Sequence, residues 1–146
     1  MHVEIALRYL HFISIFTITG ALLTEAILIR NGMTRRELKR IVAVDAAYGV
    51  AAVVLLVAGF TLWLGGFGKP TAFYSDNWLF HLKLTLFLLV GLLSIYPTVF
   101  FLRNRKGDPG ESVAVPSVVI WFVRTEVALL AVIPFLANLM AKGIGL

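Results

Sequence analysis

Apolar residues run almost unbroken over roughly residues 5–29, 41–64, 78–102 and 113–140, and the charged residues gather in the stretches between them. Each run is longer than the ~20 residues needed to cross about 30 Å of hydrocarbon at about 1.5 Å per residue. None alternates with the two-residue period of a barrel strand, so in lipid the backbone groups have to be satisfied within helices. The pattern predicts an all-α integral membrane protein, with residues 1–146 forming one four-span domain folded as an up-down four-helix bundle.

The polar positions inside these runs are few and patterned. At about 100° per residue, Glu4, Arg8, His11, Ile15, Ile18, Leu22 and Glu25 fall near one stripe of the first span, which should face into the bundle. Arg8 stands where a long side chain snorkels to the surface. Glu25 lies within reach of Arg30 across the helix end. In the second span Asp45, Gly49, Ala52, Leu56, Gly59 and Trp63 recur along one side, a small-residue track that admits another helix or a flat ligand. The third span opens with Asn77-Trp78-Leu79-Phe80-His81-Leu82-Lys83 and carries Ser94 and Pro97 near its far end; Pro97 removes a helix hydrogen bond and predicts a kink. The fourth carries Arg124 and Glu126 about ten residues deep, then Pro134 and Asn138. An arginine and a glutamate at that depth are costly unless paired or wet.

The connections have their own signals. Asn31-Gly32 ends the first helix, and Thr34 with Glu37 reads as the capping box of a short amphipathic surface turn over 35–40. Glycines and Pro70 break the chain over 65–70, and Phe73, Tyr74 and Trp78 suit an aromatic belt. Gly107-Asp108-Pro109-Gly110 reads as a turn, with Val113 opening the last span.

Composition narrows the function classes. With 60% hydrophobic residues there is no polar shell for a soluble domain. The net charge of +5 comes from cations between spans, not from a basic stripe interleaved with aromatics, which argues against nucleic acid as a partner and leaves membrane lipid. Arg30, Arg35, Arg36, Lys39 and Arg40 crowd the first loop, Arg103, Arg105 and Lys106 the third, and Lys69 alone the second. Loops one and three are therefore expected in the cytoplasm, with both termini outside. The absence of cysteine excludes disulfides, c-type haem attachment and thiolate-held clusters.

The first and third spans of an up-down bundle run parallel, so His11 and His81, each a few residues inside its helix start, should lie at matching depth. Diagonal helices roughly 12–14 Å apart leave room for an iron between two imidazoles. That geometry suits haem b with His11 and His81 as metal ligands and with Arg8, Lys69 and Lys83 as cations for the propionates. Lys83 points some 200° away from His81 around the helix, so it cannot share that direction. The plainer alternative is that each histidine only hydrogen-bonds to a neighbouring helix.

Two stretches carry a family resemblance. Tyr9-Leu10-His11-Phe12-Ile13 and Trp78-Leu79-Phe80-His81-Leu82-Lys83-Leu84 resemble the histidine motifs of the HemJ-type protoporphyrinogen IX oxidase, a four-span bacterial membrane protein that binds haem b, and of small four-span membrane proteins related to it. The similarity extends loosely to 59–64, Glu126 and Lys142. It implies a bacterial inner-membrane location, haem binding at His11 and a characteristic site at His81 and Lys83. The activity implied is a haem b redox function, hydrogen removal from a porphyrinogen or electron transfer toward a quinone, with Lys83, Glu126 and Arg124 as catalytic candidates. A different class is also open: a haem-free transporter or proton-conducting module, functioning as a homodimer or as a complex subunit, using Glu25, Asp45, Arg124 and Glu126 as an intramembrane relay.

Overall fold

A computed structural model describes all 146 residues. Four long helices carry the chain: α1 (His2–Leu28), α2 (Arg35–Leu64), α4 (Trp78–Asn104) and α5 (Ser117–Ala141), with a single short helix, α3 (Thr71–Ser75), in the second loop. Each long helix is long and apolar enough to cross a membrane. Large apolar side chains such as Phe16, Val50, Leu92 and Phe135 remain more than half exposed on the outer surface, as lipid-facing positions do.

α1 packs against α2 and α5, and α4 against α5 and α2, so the helices form a ring in which α1 and α4 stand diagonally opposite. The loop expectations change in three places. Asn31-Gly32 does not end the first helix: α1 stops at Leu28 with Ile29 already extended, and Gly32 instead turns the chain into the strand that follows. The capping box of Thr34 and Glu37 is present, but it starts α2 itself, which runs unbroken for 30 residues instead of following a separate surface turn. Leu38 and Ile41 explain the continuity: both are fully buried on the face that Asp45 and Tyr48 continue. The last span does not open at Val113. Ser112–Val113 forms a two-residue strand, β2, antiparallel to β1 (Met33–Thr34), with Met33 opposite Val113. Pro116 disfavours helical backbone at Val115, so α5 starts at Ser117.

This small ladder ties loops one and three together at one end of the bundle. Gly32, at φ 80°, donates to the Val113 carbonyl, and Asn31 Oδ1 accepts from the Val115 amide at 3.1 Å. Met33, Val113 and Val115 join Ile29, Phe101 and Val119 in a core beneath it. A second core at mid-height holds Ile18, Leu22, Tyr48, Leu55 and Val90. At the other end Leu79, Leu136 and Met140 form a third. Asn77 fixes that end: its Oδ1 caps α4 by accepting from the Leu79 amide at 2.9 Å, and its Nδ2 donates to the Ile144 carbonyl of the C-terminal tail. α4 continues past Pro97 to Asn104, and α5 past Pro134 to Ala141.

Candidate functional site

The inward stripe of α1 holds. Ile18, Leu22 and Glu25 are buried, and His11 is half-buried on the same face. The buried face of α2 differs from the small-residue track: it runs through Leu38, Ile41, Asp45, Tyr48, Ala51, Leu55 and Ala58, leaving Gly49 outside. A three- and four-residue stagger from Asp45 selects Tyr48 and Leu55, and burial follows the larger apolar side chains of this row, not the glycines.

At the Asn77 end, the candidate residues do not converge. The His11 ring lies against Gly59, where a β-carbon would stand 3.7 Å away, and its Nδ1 is buried without a hydrogen-bond partner. The Lys83 ammonium is within electrostatic range of His11 and 5.6 Å from the centre of the Phe80 ring. His81 is exposed. Its Nε2–H donates to the Ser75 carbonyl at 2.8 Å, which fixes the tautomer, and its edge faces Trp63. Trp63 in turn donates to the Ser75 hydroxyl, so His81 braces α3 between α2 and α4. Arg8 is paired with Glu4 at 2.9 Å, and Lys69 sits over Phe73. The orphaned Nδ1 of His11 lies beside Gly59, which has no side chain to fill the space, and Nε2 of His81 is committed to backbone, leaving Nδ1 as the ring nitrogen it could offer a ligand.

The opposite half of the bundle is organised differently. Glu25 from α1, Asp45 and Tyr48 from α2, and Glu126 from α5 are all buried, Glu25 and Glu126 to 1% exposure. The Glu25 and Asp45 carboxyls are neighbours, and the Thr98 hydroxyl of α4 is within reach of Asp45. The Tyr48 hydroxyl stands between Glu126 and Ser94 of α4. All four spanning helices thus contribute to one polar centre. Oε1 of Glu25 and Oε1 of Glu126 have no hydrogen-bond partner.

No cation enters this centre. Arg30 pairs with Glu37 and Arg35 with Glu111 at the surface. Arg124 is exposed on the outer face of α5 and lies 5.3 Å from the Trp121 ring centre. Two positions apart on a helix place Arg124 and Glu126 on nearly opposite sides, so they form no pair. Glu25 and Glu126, withdrawn from water with Asp45 as a neighbour and no cation beside them, are compatible with one another only if they carry protons. No three of the histidine, aspartate and glutamate side chains converge closely enough to ligate a metal. The arrangement is suited to holding and passing protons.

A cavity of about 460 Å³ between α2 and α4 reaches this centre from the side, with Asp45, Tyr48, Ser94 and Thr98 in its lining and Arg105 at its mouth. Ser94, Thr98 and Tyr48 were not among the sequence candidates for the site. Their spacing carries a signal all the same: Tyr48 follows Asp45 by one turn, and Thr98 follows Ser94 by one turn.

Compared with known proteins, residues 3–145 match one family model, described as predicted membrane protein (DUF2214). No curated protein and no solved structure matches the chain.

Proposed function

We propose, for a chain that belongs to the DUF2214 family of membrane proteins, that it moves protons within the membrane through a carboxyl relay of Asp45, Glu25 and Glu126. The observation that carries this reading is the convergence of three buried carboxyl groups from three helices, two with an unpartnered oxygen and none with a counter-cation. Asp45 borders the side cavity and is the group that exchanges protons with water there. The proton then passes to the adjacent Glu25 carboxyl. Tyr48 holds Glu126 as the neighbouring acceptor, with Ser94 behind the Tyr48 hydroxyl, which can donate and accept. The excess of cations in loops one and three supports a cytoplasmic mouth for the relay.

Beyond the carboxyl groups the path meets Ile18, Leu55 and Val90, all in the mid-height core. Onward transfer toward His11 and Lys83 therefore needs the bundle to change shape, and Pro97 and Pro134, each leaving the carbonyl four residues earlier without its helix donor, supply the places where α4 and α5 bend. The test is proton flux in proteoliposomes loaded with a pH-sensitive dye. Flux that disappears in Asp45→Asn and Glu126→Gln supports the relay; flux indistinguishable from empty vesicles in the natural sequence sinks it. The redox reading, with haem b and a porphyrinogen or quinone as substrate, is separated by colour: sharp reduced b-type bands in a reduced-minus-oxidised spectrum of the purified protein would replace the relay reading.

A further inference from the structure

Two adjoining cavities lie between α2 and α4 at the end of the bundle where β1 and β2 pair. The outer one, about 530 Å³, is bounded by Lys39, Val42, Arg105, Lys106 and Gly107. The cavity that leads to Asp45 shares Val42 and Arg105 with it and continues past Leu102, Val99 and Ile95. The result is a cationic mouth joined to a trough with an apolar wall.

The charges at the mouth are uncompensated. The three ion pairs of the molecule are Arg8–Glu4, Arg30–Glu37 and Arg35–Glu111, and none uses Lys39, Arg105 or Lys106. Arg35, which borders Gly107, is consumed: it pairs with Glu111, donates to the Asn104 carbonyl and packs over Gly107, whose φ of 137° makes the turn. Asp108, the acid closest in sequence, accepts from the Gly110 amide at 3.1 Å and closes its own turn. The trough is open to the side, since Ile95, Val99 and Leu102 are each more than a third exposed and a β-carbon on Gly49 would meet nothing within 4 Å.

An anion with hydrocarbon attached matches both parts of this surface, and a membrane supplies one. We propose that Lys39, Arg105 and Lys106 bind the phosphate of an anionic phospholipid whose acyl chain lies along Val42, Val99 and Leu102 in the α2–α4 trough. The cations at the mouth hold the phosphate there, and the exposed side chains of Ile95, Val99 and Leu102 keep the chain on the lipid side. Charge near the surface and apolar contact below it act together, as in other membrane-lipid sites. The inference needs no proton movement, but it shares its cavity with the relay: with an acyl chain along the wall, Asp45 exchanges protons with water only past the headgroup at the mouth.

The test is lipid retention by the full chain, purified in detergent, equilibrated with equimolar phosphatidylglycerol and phosphatidylcholine, and weighed by native mass spectrometry. The natural sequence retains phosphatidylglycerol in preference by roughly tenfold or more, given about 1 kcal/mol for each basic side chain near the surface. The variant combining Lys39→Gln, Arg105→Gln and Lys106→Gln loses the preference, and because all three residues are exposed its helix content stays unchanged. A Gly49→Phe substitution fills the trough and lowers retention with the mouth intact. Equal retention of the two lipids, or a preference that survives the triple substitution, overturns the proposal. Inorganic phosphate alone displacing nothing supports the lipid as the ligand, whereas displacement of the lipid at millimolar phosphate would reassign the mouth to the free anion.

Discussion

The bundle has a polar layer toward each end, and the two are built on opposite principles. Toward the β1–β2 end, Glu25, Asp45, Tyr48, Ser94, Thr98 and Glu126 come from four helices and meet in one buried centre with unpartnered carboxyl oxygens. Toward the other end, the candidate side chains all but His11 have settled with their own neighbours: Arg8 with Glu4, His81 with Ser75, Lys69 with Phe73 and Lys83 beside Phe80. Groups near a membrane surface can satisfy themselves locally or in water. Groups at mid-depth persist only by mutual arrangement, which is why the buried layer is the better candidate for chemistry. Between the two lies the apolar belt of Ile18, Leu55 and Val90.

The strongest way to break this contrast is to neutralise the buried layer. Glu126→Gln is expected to reduce proton flux to the level of empty vesicles. Because Glu126 has no cation to lose and an amide keeps its size and can still accept from Tyr48, the substitution should change stability by no more than about 1 kcal/mol. Thermal unfolding in detergent, run beside the flux assay, separates this from a structural carboxyl, whose loss would destabilise the fold and leave no reason for flux to vanish in the folded fraction.

The belt offers the next largest effect. Ile18 is fully buried midway between His11 and Glu25, and Ile18→Ala leaves a cavity that should cost about 2–5 kcal/mol. A cavity there also shortens the apolar barrier between the layers. Passive proton leak in proteoliposomes should rise; if leak is unchanged while stability falls, the belt is packing only and is not the barrier.

Asn77 tests how firmly the other end is held. Its side chain caps α4 and tethers the tail through Ile144, so Asn77→Ala should cost about 1–2 kcal/mol and expose the C-terminal residues to proteolysis before the helices unfold.

The spans and the inward face of α1 were legible because hydrophobic run length and helical period are local properties, and Ile18, Leu22 and Glu25 sit where that period puts them. The separation of Arg124 from Glu126 was equally legible, since two steps around a helix place them on nearly opposite sides. Their shared depth suggested a pair; the rotation between them forbids it. Other features depended on long-range contacts that no local pattern carries. Val113 reads as the start of an apolar span and becomes a strand only because Met33 is brought beside it. The hydroxyl groups of Ser94 and Thr98 read as minor polar positions until α2 places Tyr48 and Asp45 against them. His81 turned outward for a similar reason: the Ser75 carbonyl of a helix only five residues long was close enough to accept a hydrogen bond from its Nε2–H.

The two histidines sharpen the comparison with the smallest effects and in opposite directions. His81→Ala removes one hydrogen bond to backbone and the edge contact to Trp63, which should cost about 1 kcal/mol and loosen α3. His11→Leu replaces a ring whose Nδ1 has no partner with an apolar side chain in the same space beside Gly59. Burying no orphaned nitrogen should make that variant as stable as the natural sequence or more stable by about 1 kcal/mol. Paired unfolding curves give both values. If instead both substitutions destabilise the protein strongly and to the same extent, the two side chains act together on one buried ligand, and the outer layer would have to be read as a site in its own right.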